Sequence, residues 1–211
     1  MPTDKRPKGK KIELRAGPLL EQLRRLGHTL DTAVADLIDN SIAAGAKNIE
    51  VVGNRKQKWL AVIDDGNGMT ADTLEEAMTP GSHGGFNSSR DISDLGRFGI
   101  GLKTASISLG DQLTVITRHK DDGLNTSRID KNIIEKGDEW ILMPDCSKQA
   151  VDMKKKLKAG KTGTIVLIED LISGIEKHDK PSARFAEQMK ALADYLGMIF
   201  HRFLEKTKGV R

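Results

Sequence analysis

The segment from residue 79 to residue 98 constrains the fold most, because it interrupts every hydrophobic periodicity of the chain. It holds Pro80 and several glycines and serines, and compact domains rarely keep an irregular loop of this length without a function. Glycines continue into the predicted helix that follows, at Gly96, Gly99 and Gly101. The N-terminus of such a helix presents free backbone N–H groups and the positive end of a dipole, which together favour a phosphate.

The order of these glycines excludes two common nucleotide-binding motifs. The dinucleotide fingerprint runs Gly-x-Gly-x-x-Gly directly after a strand, whereas here Gly-x-x-Gly-x-Gly follows a long loop. A Walker A loop would end in Gly-Lys-Ser or Gly-Lys-Thr, and the sequence Gly101-Leu102-Lys103 does not. The pattern therefore predicts phosphate contact in a different fold.

Helices and short strands surround this segment. Apolar residues spaced by three or four predict helices at residues 18–26, 29–45 with Thr29 as N-cap, 71–78 with Thr70 as N-cap, 100–109 and about 182–206. Short β-branched runs predict about six strands, at residues 49–52, 59–63, 113–117, 126–129, 140–143 and 164–168. The lysine-rich stretch 148–161 is predicted to be a solvated loop or hairpin excursion.

Length and composition predict one domain. The chain has 211 residues, of which 30% are charged, and no apolar run approaches the roughly 20 residues of a membrane-spanning helix. Its single cysteine, Cys146, and the absence of a signal-like leader predict a cytoplasmic location. The net charge of +4 lies mostly in residues 1–11, which we interpret as a flexible basic tail before a domain at 12–211. The charge is therefore weak evidence for an anionic partner such as DNA.

The run Asp36-Leu37-Ile38-Asp39-Asn40 lies on the second predicted helix. Asp36 and Asn40 are four residues apart and so share one side of the helix, beside the apolar stripe. A carboxylate and an amide oxygen in this arrangement can hold a water and a hard cation beside a phosphate. Taken alone, a solvated helix edge explains the same residues.

A second cluster, Asp64-Asp65-Gly66-Asn67-Gly68-Met69, comes directly after a predicted strand. Its glycines allow a sharp turn close to a ligand, and a carboxylate at the strand end can accept a hydrogen bond from an exocyclic amine. An ordinary strand-to-helix turn uses the same residue types. The cluster gains meaning from its position between the helix and the glycine-rich segment.

Together with the third cluster, Gly96 to Ser106, these motifs resemble those of the GHKL superfamily of ATPases. That group includes gyrase B, the ninety-kilodalton heat-shock chaperone, sensor histidine kinases and MutL. The motifs occur in the superfamily's order over residues 29–169, and their wording is most similar to the microrchidia (MORC) type. The resemblance implies a Bergerat-type α/β two-layer sandwich with a mostly antiparallel mixed sheet and helices on one face.

The resemblance also implies a role for each motif residue. Asn40 corresponds to the residue that holds Mg2+, and Asp64 to the aspartate that binds the adenine amino group. Residues 79–98 correspond to a lid that closes over the nucleotide. The remaining correspondences are Gly66 and Gly68 behind the base, Met69 in contact with it, Gly96, Gly99, Gly101 and Lys103 at the phosphates, and Thr164 as the threonine that fixes adenine through the aspartate and a water.

One position departs from the superfamily pattern. The general base is usually a glutamate four residues before the asparagine, and this chain has Asp36 there, which is shorter by one methylene. Because a displacement of about 1 Å can lower a rate roughly a hundredfold, we expect slow turnover.

The resemblance therefore predicts a magnesium-dependent module that binds and hydrolyses ATP, with lid closure driving conformational change or homodimerisation. A nucleotide-gated binding module with little or no hydrolysis is the alternative, and a histidine kinase catalytic domain is less favoured because no phospho-accepting hairpin precedes it. Because the chain ends near Arg211, we expect a fragment of a longer protein or a partner subunit. The client stays open between DNA, a protein and another subunit.

Overall fold

A five-stranded sheet forms the centre of the protein. The computed structural model describes residues 15–25, 29–80, 101–144, 147–172, 181–201 and 203. Within them the strand order is β1-β2-β5-β3-β4, and every neighbouring pair is antiparallel. The strands are β1 Ile49–Asn54, β2 Trp59–Asp64, β3 Gly110–His119, β4 Gly123–Asp130 and β5 Gly163–Leu171.

Seven helices accompany the sheet in the described part of the chain. They are α1 Ala16–Arg25, α2 Leu30–Ala43, α3 Ala71–Met78, α4 Gly101–Leu109, α5 Lys131–Gly137, α6 Lys148–Lys154 and α7 Pro181–Ile199. Thr29 caps α2 by accepting a hydrogen bond from the amide of Thr32, and Thr70 caps α3 in the same way. The predicted N-termini of these two helices are therefore confirmed.

The main core lies between one face of the sheet and six of these helices. Leu37 of α2 is 2% exposed, and it belongs to one buried cluster with Leu60 of β2, Leu113 of β3 and Ile168 of β5. Residues of α1, α3, α4, α5 and α7 belong to the same cluster. Six of the seven described helices thus lie on one face, which confirms the α/β sandwich, and α2 packs against β2 and α4.

The opposite face of the sheet is covered by α6, where the sequence predicted a solvated loop. Ser147 caps the helix by accepting a hydrogen bond from the amide of Ala150. Ala150, Met153 and Leu157 are buried against this face, on a cluster that includes Ile116 and Leu167. The prediction for residues 148–161 was wrong because the lysines occupy the exposed positions and obscured this apolar stripe.

The predicted strand at residues 140–143 is also wrong, and the described sheet has five strands instead of about six. Only Met143 pairs, through two backbone hydrogen bonds with Arg128 of 2.8 and 2.9 Å. The indole N–H of Trp140 donates instead to the carbonyl oxygen of Met78, the last residue of α3. This segment therefore crosses from the sheet edge to a helix.

Several predictions fall on residues outside the described part of the chain. They are the basic tail at 1–11, the lid at 79–98 apart from Thr79 and Pro80, and residues 202 and 204–206 of the last predicted helix. The described α7 ends at Ile199, before the predicted end near residue 206.

Candidate functional site

Asp64 is the centre of the site, at the end of β2. Its side chain is buried, with 7% of the residue exposed. Oδ1 accepts hydrogen bonds from the amides of Gly66 at 2.9 Å and Thr164 at 3.2 Å, and Oδ2 lies 2.9 Å from the hydroxyl of Ser41. A carboxylate offers about four acceptor positions, so these three donors leave one position, on Oδ2, without a hydrogen-bond partner among the described residues.

The electrostatic setting of Asp64 favours such a donor. Burial raises the pKa of its carboxyl, while the hydrogen bonds from Gly66, Ser41 and Thr164 act in the opposite direction. A further N–H donor would stabilise the charged form in an environment of low dielectric constant.

The turn after Asp64 is built so closely that two of its residues have no room for a side chain. Gly68 has φ of +70°, and a Cβ there would lie 2.0 Å from the carbonyl oxygen of Arg118 on β3. A Cβ on Gly66 would lie 2.9 Å from the carbonyl oxygen of Ala44, at the end of α2. The two glycines therefore bring the backbone against α2 on one side and β3 on the other.

Met69 and Thr164 meet at a residue that the sequence analysis did not identify. The amide of Met69 donates to the Oγ1 atom of Thr117 at 2.8 Å, and that atom lies 3.1 Å from the Oγ1 atom of Thr164. Thr117 and Ser41 were both missed as site residues. Each is a polar residue within an otherwise apolar pattern, which is the signal that could have indicated a site. Their hydrogen-bond partners are distant in sequence and can be recognised only in the folded structure.

Asp36 and Asn40 lie on α2, the helix that contacts Asp64 through Ser41. Asn40 precedes Ser41, which contacts Asp64, and Asp36 lies one turn earlier; both are half-buried. Burial and then the negative charge of Asp36 raise the pKa of Asp39 on the same helix. The helix surface therefore has a negative field that a cation would relieve.

The side-chain oxygens of Asp36 and Asn40 on α2 fit a magnesium ion that also keeps water and phosphate oxygens as ligands. Its carboxylate and amide oxygens are the ligand types that magnesium prefers. In the residues for which positions are described, no group of three or more histidine, cysteine, aspartate or glutamate side chains could hold a metal ion. The amide oxygen of Asn40 is one oxygen of a type that Mg2+ accepts together with water and phosphate oxygens.

The predicted phosphate residues are only partly described. Gly96 and Gly99 lie outside the described residues, whereas Gly101 begins α4 and Lys103 lies in its first turn. Helix α4 packs against α2, so the described glycine-rich motif lies on the element next to Asp36 and Asn40.

A separate cleft of about 1180 Å³ lies between α1, α3, β4 and residues 138–144. Leu19, Leu74 and Trp140 line it, together with Thr79 and Pro80 from the start of the predicted lid, but none of the motif residues predicted to bind a nucleotide does. The candidate site is therefore defined by its hydrogen bonds and not by this cleft.

Of the helices whose residues are described, none is both long and apolar enough to cross a membrane.

Comparison with known proteins finds relatives among the MORC and MutL proteins. A segment of the ATPase morc-1 of Caenorhabditis elegans is 32% identical over 98 residues, which is 46% of this chain and 11% of that protein. The DNA mismatch repair protein MutL of Clostridium botulinum is 38% identical over 79 residues, or 36% of this chain and 12% of MutL. MutL of Clostridium acetobutylicum is 24% identical over 170 residues, or 80% of this chain and 25% of MutL. The chain thus spans at most a quarter of the length of these relatives.

The family model described as "Histidine kinase-, DNA gyrase B-, and HSP90-like ATPase" matches residues 28–164, which is more than half of the chain. That range contains all three motif clusters, and it ends at the threonine that donates its amide to Asp64. The chain therefore belongs to the family of histidine kinase-, DNA gyrase B- and HSP90-like ATPases, the GHKL superfamily.

Proposed function

We propose that this chain is a magnesium-dependent module that binds ATP and hydrolyses it slowly. The observation that carries the proposal is the environment of Asp64, a buried carboxylate with three protein donors and one acceptor position left. The exocyclic amine of adenine is a donor that fits this position. Guanine has a carbonyl oxygen at the same place on its ring, and two acceptors would repel each other.

Asn40 and Asp36 would act at the phosphate end of the nucleotide. The amide oxygen of Asn40 would hold Mg2+, which supplies positive charge to the phosphates when bound. The carboxylate of Asp36 would orient the attacking water and accept its proton. Support comes from their positions, one turn apart on the helix that contacts Asp64 through Ser41.

The glycine-rich segment completes the proposal. Residues 79–98 would act as the lid, and Gly96, Gly99, Gly101 and Lys103 would meet the phosphates. The match of the family model across this region supports the assignment. We further propose that closure on ATP promotes homodimerisation or contact with a downstream domain or partner subunit, with DNA, a protein or another subunit as the client.

A second function, a nucleotide-gated binding module with little or no hydrolysis, is favoured by the identity of residue 36. Aspartate at this position reaches less far than the glutamate of the superfamily pattern. Binding requires Asp64 and the turn after it, whereas turnover also requires the carboxylate of Asp36. The two functions therefore differ in hydrolysis and not in affinity.

Isothermal titration with ATP and magnesium chloride tests binding. We expect wild-type binding, a large loss of affinity in Asp64→Asn, and a loss in Asn40→Ala that depends on magnesium. Asp65→Asn is a matched control, because this exposed neighbour can keep its hydrogen bonds from the amides of Lys47 and Asn48. Absence of wild-type binding, or equal effects of the changes at residues 64 and 65, would refute the assignment.

Single-turnover hydrolysis tests the role of Asp36. We expect Asp36→Ala to abolish hydrolysis with nearly unchanged ATP affinity, because the side chain acts on the water and not on the nucleotide. Asp36→Glu restores the reach of the superfamily residue and should raise the rate. If helix α2 has instead adjusted to the shorter side chain, glutamate would crowd the site and slow the reaction. Hydrolysis by the alanine variant at the wild-type rate would exclude Asp36 as the base.

A further inference from the structure

The hydroxyl of Thr117 joins two separate parts of the candidate site. Thr117 lies on β3, is fully buried, and pairs with Thr164 at the start of β5. Its Oγ1 atom accepts a hydrogen bond from the amide of Met69 at 2.8 Å, and lies 3.1 Å from Thr164 Oγ1 and 3.2 Å from the carbonyl oxygen of Gly163. One buried side chain thus contacts both the turn after Asp64 and the strand that donates to Asp64.

These contacts use the full capacity of the hydroxyl group. A hydroxyl has one hydrogen to donate and two lone pairs that accept. Thr117 can donate to Gly163 and accept from Met69 and Thr164, which leaves nothing for a ligand. The hydroxyl of Thr164 then donates to Thr117, and its lone pairs stay available as acceptors at the site. Thr117 therefore acts on the site through its neighbours.

The strand order explains why this connection is needed. Strand β5 lies between β2 and β3, so the turn that leaves β2 at Asp64 must pass the end of β5 to reach β3. Gly68 makes the close approach to Arg118 at this crossing. The hydrogen bond from the amide of Met69 to Thr117 holds the last residue of this turn at a fixed distance from Thr164.

We propose that Thr117 is a positioning residue that sets the spacing between the Gly66–Met69 turn and Thr164, and so shapes the pocket for an adenine base. The inference rests on the proposed nucleotide-binding function. Loss of the hydroxyl would leave the partly buried amide of Met69 without its acceptor, and the turn would move away from Thr164.

Thr114 provides a matched control on the same strand. It is also fully buried, but its Oγ1 atom has no hydrogen-bond partner among the described residues. It lies three residues before Thr117, and therefore on the opposite face of the sheet. Substitution by valine makes the same chemical change at both positions, and it removes hydrogen bonds only at residue 117.

The test is titration of the full chain with ATP and with GTP, each with magnesium chloride. We expect Thr117→Val to bind ATP about tenfold more weakly, because binding must return the displaced turn to a position in which the amide of Met69 lacks its acceptor. GTP binding should fall less, because a base that Asp64 rejects gains little from the exact spacing, so the preference for ATP decreases. Thr117→Ser keeps the hydroxyl and should restore ATP affinity to within about threefold, whereas Thr114→Val should match the wild type.

A second measurement does not depend on the nucleotide. Amide hydrogen exchange of Met69 should become faster in Thr117→Val and stay unchanged in Thr114→Val. If Thr117→Val fails to fold, Thr117→Cys keeps most of the volume with a poor hydrogen-bonding group and replaces it in both experiments.

The outcomes separate this inference from the proposed function. Equal ATP affinity in Thr117→Val and Thr114→Val, or an equal loss of ATP and GTP affinity in Thr117→Val, would overturn the role of Thr117 and leave ATP binding by the wild type intact. A wild-type chain that does not bind ATP would overturn both.

Discussion

Replacement of Gly68 by alanine tests whether the turn after Asp64 is held against β3. The new Cβ would lie 2.0 Å from the carbonyl oxygen of Arg118 and 2.6 Å from its carbon, whereas ordinary contact begins near 3.4 Å. The oxygen and the Cβ would therefore have to separate by about 1.4 Å, from 2.0 to 3.4 Å. This displacement falls where the turn after Asp64 passes the end of β5 and lies against β3.

Gly123 allows the size of the effect to be isolated. It has φ of +76°, close to the +70° of Gly68, but its added Cβ would meet nothing within 4 Å. Each substitution carries the cost of about 1–2 kcal/mol for a left-handed alanine, partly offset by about 0.4–1 kcal/mol from the stiffer unfolded chain. Only Gly68→Ala adds an overpacking cost of about 1–3 kcal/mol. We expect losses in the free energy of unfolding of about 2–4 kcal/mol for Gly68→Ala and about 1 kcal/mol for Gly123→Ala.

Equilibrium unfolding in urea measures this difference, and thermal melts provide a second estimate. For a chain of this length, the difference of about 1–3 kcal/mol should place the melting temperature of Gly68→Ala about 2–12 °C below that of Gly123→Ala. ATP affinity should also fall in Gly68→Ala alone, because the turn adjoins Asp64. Equal losses of stability in the two variants would refute the close approach of the turn to β3.

Three other changes probe separate contacts. Because burial raises the pKa of Asp64 above that of the unfolded chain, ionisation of this group disfavours the folded state increasingly as the pH rises above about 4. In thermal melts, the stability of Asp64→Asn minus that of the wild type should therefore increase as the pH is raised from about 4 through the range in which Asp64 ionises. A difference that is independent of pH would contradict this. Ser41→Ala removes a donor to the buried carboxylate and should lower the free energy of unfolding by about 1–3 kcal/mol in urea. Met153→Ala should cost about 2–4 kcal/mol because this side chain of α6 is buried against the sheet, whereas Val151→Ala, at a residue of the same helix that is 50% exposed, should change stability by less than about 0.5 kcal/mol.

Local chemistry allowed much of the fold to be predicted from the sequence. Thr29 and Thr70 have side chains that cap helices, and both do so. Apolar β-branched runs predicted the two strands of the first hairpin to within two residues at each end. The glycines at 66 and 68 indicated a tight turn after Asp64, and the structure has one there.

What could not be predicted depends on contacts between distant residues. Residues 140–143 have the apolar character of a strand, but the bond of Trp140 to Met78 directs the segment to α3. Thr117 and Thr164 are 47 residues apart, and their contact requires the register between β3 and β5. Composition and local periodicity do not determine which residues of these two strands pair with each other.

The position of β5 has a consequence for the order in which the protein can assemble. Strands β1 and β2 form one hairpin from neighbouring residues, and β3 and β4 form another. Strand β5, the last of the five to be synthesised, must insert between these hairpins and pair with both. Until it emerges from the ribosome, β2 and β3 each have an open apolar edge, which is a site for aggregation and chaperone binding. Because Thr164 belongs to this strand, the surroundings of Asp64 are completed in the same late step as the sheet itself.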